Sequence, residues 1–169
     1  MEFLLIVILS VSSYVGSTAI DKCNSSDEFQ PWKIPYLPHT IQPVRYKLFL
    51  FPDFYYNAST FRGDILIEFK VASDTDTILV HYRELSITKW VLTPHPENSV
   101  TIARTCVYDD YFVVQTNRKM LVSENCTYDL VVTFNGTLTI PEEFYLYPVN
   151  LGFYKGRYVD KRTGKERSV

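Results

Sequence analysis

Histidine is scarce in this chain of 169 residues: His39, His81 and His95 are all there are. No two lie within four positions of each other, and no His-Glu dipeptide occurs. That excludes the H-E-x-x-H arrangement, which sets two imidazoles and a general base on one helix face around zinc. Glycine is sparse too, at six residues, and none of them builds a phosphate-cradling loop. Ser99, Ser123 and Ser168 have no G-x-S-x-G context, so a nucleophile elbow is excluded. An excess of either charge is missing. The 17 basic and 19 acidic residues leave a formal net charge of −2, which provides no field to draw nucleic acid or an anionic membrane. The adjacent carboxylates Asp109-Asp110 and Glu142-Glu143 are more often turn or solvated-loop residues than an acid–base pair. No segment has a sustained helical period, and there is no internal repeat or low-complexity tract.

The chain does open with an unbroken apolar run over residues 3–9, loosening over 11–15 and followed by Ser17-Thr18-Ala19. This reads as a secretory signal over residues 1–19 with a cut before Ile20, although Glu2 stands where a basic residue is usual. A membrane anchor is the weaker reading, because the apolar length and the basic flanks both fall short. Four N-x-[ST] sequons fit an extracellular or cell-surface destination. Asn57, in a loop-like segment, is the first candidate for glycosylation. Asn135, expected in a turn before Gly136, is second; Asn125 and Asn24 complete the set. Cys23, Cys106 and Cys126 are an odd number for an oxidising compartment. Cys106 and Cys126 are the nearest pair by order, but a hairpin turning near Met120 would carry Cys126 towards Gln115 instead. The pairing stays open, with Cys23 readable as a free or intermolecular thiol.

Thirteen Tyr and eleven Phe favour strands over helices. After a polar lead-in over residues 20–30 and a proline-stiffened arm over 31–38, the pattern becomes alternation. Residues 45–51 set Tyr46, Leu48 and Leu50 on one face. Residues 61–71 do the same with Ile65, Ile67, Phe69 and Val71. Further strands are expected over 77–82, 85–92, 100–106, 111–116 and 127–134. Pro94 and Pro96 are expected to end the fourth. Short strands at this spacing indicate an all-β sandwich or related sheet assembly. His81 reads as a packed strand histidine rather than a ligand, and His39 and His95 sit beside prolines in expected loops. From 155 to 167, six basic residues face only Asp160 and Glu166. That run reads first as a solvated tail and second as a contact surface.

The run Gly152-Phe153-Tyr154-Lys155-Gly156-Arg157-Tyr158 resembles the G-F-Y-[RK]-x-x-Y signature of the N-terminal β-domain of aminopeptidase N-like zinc metallopeptidases. Earlier blocks match the same domain in order. They are the opening with Trp32, Pro38, Pro43 and Tyr46-x-Leu48-x-Leu50, then Phe61, Gly63, Ile65, Ile67 and Phe69, then Thr75, Ile78 and His81, and finally the strand through Gly136. Together they cover residues 31 to 165. The same positions also make structural sense unaided: Gly63 allows a tight entry or bulge where a side chain would clash, and Tyr154 and Tyr158 share a face if their segment is a strand. The resemblance implies a sandwich or saddle-like antiparallel sheet assembly over residues 31–169, incomplete at its C-terminal end. It also implies a zinc aminopeptidase as parent, whose metal and G-A-M-E-N-type substrate motifs are absent from this sequence. The chain alone is then expected to be inactive and to hold no cofactor. Its expected partner is a peptidase catalytic domain, in cis or in trans, and peptides are reached only through that enzyme. The alternative is a free-standing secreted binding module derived from the domain.

Overall fold

Apolar residues at every second position can be buried only if the strands that carry them stack in layers. The computed structural model describes residues 20–23, 31–33, 36–53, 59–138 and 157–168. Seven long strands run β1 Ile41–Pro52, β2 Thr60–Val71, β3 Thr75–His81, β4 Leu85–His95, β5 Ile102–Tyr108, β6 Tyr111–Met120 and β7 Thr127–Thr137. The fold is all-β and the strands pair antiparallel, in a four-stranded sheet ordered β1-β2-β7-β4 and a three-stranded sheet ordered β3-β6-β5. All seven expected strands are present. Within the basic run, residues 158, 159 and 161–166 are exposed, and β8 Arg157–Val159 and β9 Glu166–Ser168 pair as a hairpin closed through Asp160 and Gly164.

The two large sheets meet in one core. Ile67 and Phe69 of β2 and Tyr128, Leu130 and Val132 of β7 face Ile78 of β3 and Phe112, Val114 and Met120 of β6. Phe69 stacks on Tyr128 with centroids 5.5 Å apart, and Trp90 reaches across the layers to the edge of the Phe112 ring at 5.8 Å. β6 is the strand buried on both sides. Its second face, Tyr111 and Val113, packs with Trp32, Cys23 and Cys106 in a separate cluster. Cys23 and Trp32 therefore cover part of the outer side of the three-stranded sheet. Lys22 forms a parallel bridge to Val107, and Cys23 donates its amide to the Val107 carbonyl at 2.9 Å.

Three expectations need correction. Cys23 is not a free thiol: it is bonded to Cys106, and Cys126 is the buried free cysteine. The segment read as a flexible lead-in is thus held at residues 20–23. No hairpin forms at Met120, because β6 and β7 belong to different sheets and the chain changes layer through the short 3-10 turn Val122–Glu124. Finally, β4 does not stop at Leu92. It pairs through Pro94, opposite Tyr128, and His95, opposite Thr127. β4 is an edge strand, where alternate amides point away from the sheet and a missing N–H is tolerated.

Candidate functional site

The three histidines do not converge. His39 lies in the turn before β1, His81 packs its ring 4.6 Å from that of Tyr111 at the end of β3, and His95 at the end of β4 places Nε2 3.2 Å from Asp129 Oδ2. Among the described residues no three His, Cys, Asp or Glu side chains are grouped to hold a metal ion. No catalytic step is assigned to the described residues.

The surface of β1 is the feature that stands out. In the four-stranded sheet, Tyr46 lies opposite Ile67 and Leu48 opposite Ile65. Residues directly opposite share a face, so both belong to the core-facing row. Ile67 is buried, yet Tyr46 is 59% and Leu48 53% exposed. The reason is one of width: three strands cannot cover four, and of β1 only Ile41 packs on the main core. Among the described strands β1 is also an edge of its sheet. Its bulge between Pro43 and Arg45 and the terminal Pro52 blunt the ends, and Arg45 is tied to Glu68 on the outer face. Between them no other described strand pairs with the outer side of β1, beside half-exposed apolar side chains, an arrangement that invites a further strand. The opposite edge, β4, is better protected, with a bulge between Ile87 and Lys89, the Thr88 hydroxyl bonded to the Thr133 carbonyl, and Pro94.

On the outer face of the same sheet, register aligns Phe51, Arg62, Asn135 and Ser86 in a row across β1, β2, β7 and β4. An open groove of about 510 Å³ lies over this row, with Asp53 and Glu84 at its rim. The Arg62 guanidinium sits over the Phe51 ring, 5.3 Å from its centroid. Sequence reasoning missed the row because none of its members is close to another along the chain. Alternation places each on the outer face, but only the pairing register places them side by side.

The residues singled out from sequence distribute as follows. Trp32 is buried in the second cluster, Pro38 is half-exposed, and Pro43 sits at the β1 bulge. Gly63 is not at a bulge: the Phe134 ring lies over it, and a Cβ there would meet Phe134 Cζ at 2.4 Å. Gly136 mirrors it beneath Phe61, also at 2.4 Å. Asn135 is therefore exposed on a central strand rather than in a turn, because Gly136 serves ring packing instead of a reversal. Asn125, exposed, ends the 3-10 turn in the left-handed region, φ 49°. Tyr158 is exposed on β8. Asn24, Asn57, Gly152, Phe153 and Tyr154 lie outside the described residues, as does the signal-like segment. Burial raises the Tyr128 hydroxyl above its ordinary value, against a smaller lowering from the Asn98 amide.

Comparison with known proteins matches residues 42–169 to the family described as Peptidase M1 N-terminal domain. The chain is 29% identical to bovine (Bos taurus) glutamyl aminopeptidase over 149 residues, 86% of this chain and 14% of that protein. It is 27% identical to rat (Rattus norvegicus) endoplasmic reticulum aminopeptidase 1 over 164 residues, 92% of this chain and 16% of that protein. Human (Homo sapiens) glutamyl aminopeptidase is 26% identical over 149 residues. The chain thus spans about a seventh of the length of the curated relatives it matches.

Proposed function

The chain belongs to the Peptidase M1 N-terminal domain family, and on that premise we propose that it is the non-catalytic β-domain portion of a secreted or cell-surface zinc aminopeptidase. The parent enzyme would release N-terminal residues from peptides, with zinc, general base and amine-binding groups supplied from outside this sequence. The role of these residues is to buttress the catalytic part. The observation that supports this most is the half-exposed core-facing row Tyr46 and Leu48 on β1, an edge strand among the described ones, a surface shaped for more polypeptide rather than for a small substrate.

The direct test is the transcript: a continuous reading frame carrying H-E-x-x-H beyond Val169 is the expected result. In that longer protein, Leu48→Glu should reduce secreted yield and heat resistance while leaving the intact catalytic motif in place. Stoichiometric zinc or aminopeptidase turnover in the purified 169-residue chain would overturn the assignment.

A second reading, a self-standing secreted binding module, draws on the two-layer core and on the disulfide-linked second cluster, both formed within these residues. A monodisperse, protease-resistant secreted product from a transcript that ends after Val169 would favour it over the first.

A further inference from the structure

We infer that Asn135 carries an N-linked glycan whose first two sugars lie in the outer-face groove, against the Phe51 ring and the Arg62 guanidinium. The inference rests on the secretory part of the function proposed above. Asn135-Gly136-Thr137 is a complete sequon, and Asn135 is exposed with its side chain on the outer face of β7. A glycan on this central strand would start in a fixed direction with a sheet surface beneath it.

The surface has the chemistry that carbohydrate takes. Pyranose rings present axial C–H groups that pack on an aromatic face and hydroxyls that bond to charged and polar groups. Phe51 is half-exposed and lies two strands from Asn135 in the same row. That separation is roughly 10 Å, the span of a disaccharide. Arg62 lies between them, Ser86 flanks Asn135 on the other side, and Asp53 and Glu84 stand at the rim.

The modification itself needs a polyprenyl-pyrophosphate oligosaccharide as donor and a transferase to act on the chain. Nδ2 of Asn135 attacks C1 of the first sugar, forming the N–C1 bond as the C1–O bond breaks. The pyrophosphate leaves with that electron pair, and Nδ2 gives up one proton to the transferase base. A glycan on this face would keep it in solvent and leave the core-facing row of β1, on the other face, for docking.

The test is secretion of the full chain from a eukaryotic host, once with its own leader and once with residues 1–19 replaced by a host leader. Enzymatic deglycosylation in ¹⁸O water then marks each occupied asparagine as labelled aspartate for mass spectrometry. Labelled Asp at position 135 in the host-leader protein is expected. An unmodified Asn135 there overturns the site. Labelling with the host leader alone overturns the reading of residues 1–19 and leaves the site standing. For the seating, Phe51→Ala should raise the initial rate of glycan release from the native protein about fivefold. Release at an unchanged rate would show that the glycan projects freely.

Discussion

Two glycines and two phenyl rings lock the end of the four-stranded sheet, and Gly63→Ala probes that lock directly. An added Cβ would lie 2.4 Å from Phe134 Cζ, 2.5 Å from Cε2 and 3.0 Å from Leu50 Cδ2. Comfortable carbon contacts are about 3.5–4.0 Å, so the ring must retreat by roughly 1 Å. It has little room: Phe134 is buried with Phe61 and Leu138 and meets the Phe61 ring edge-on, with centroids 6.3 Å apart. Overpacking of this kind costs about 1–3 kcal/mol. Against it stands the gain from stiffening the unfolded chain, about 0.4–1 kcal/mol for Gly→Ala. The expected net loss is about 1–2 kcal/mol, read as a lower urea midpoint at unchanged m-value. Phe134→Leu in the Gly63→Ala background should recover part of that loss, because the smaller side chain vacates the space. Gly136→Ala should behave alike through Phe61, and the two alanines together should cost less than their sum, since both strain one ring pair. A Gly63→Ala chain as stable as the parent, or strict additivity with Phe134→Leu, would refute the reasoning.

Removing the Cys23–Cys106 bridge opens a loop of sequence separation 83, which loop-closure entropy values at about 4.5 kcal/mol. Cys23→Ser/Cys106→Ser should therefore lower stability by several kcal/mol in urea unfolding, and peptide mapping that finds Cys126 in the bridge would contradict the assignment. The Tyr128 hydroxyl, raised by burial above its ordinary 10.0, makes stability depend on alkaline pH. The unfolded chain ionises first, so the contribution is whole below pH 10 and declines as pH rises through the folded-state value. Tyr128→Phe lacks that contribution; the parent's stability relative to this variant should fall as pH rises above 10 in urea unfolding, and a constant difference would count against it.

Local pattern explains how much was legible in the sequence. Alternation in β2 named Ile65, Ile67 and Phe69 correctly as core-facing, because a side chain's face depends only on its parity along the strand. The same alternation named Tyr46 and Leu48, but parity says nothing about whether a second layer lies above them. Pro94 misled because proline's effect depends on whether a strand is central or at an edge, a property of the sheet. Gly136 misled because a glycine that receives a phenyl ring looks, in sequence, like one that makes a turn.

Residue order alone therefore determined the family, the set of strands and the absence of a paired-histidine zinc motif, all of which are local facts of spacing and side-chain type. The tertiary structure decided which cysteine Cys23 meets, that β1 overhangs the shorter sheet, and that Asn135 shares a row with Phe51 and Arg62. Each of these depends on register and layer cover between segments far apart in the chain, where pairing free energy is collective and no single stretch of sequence holds the answer.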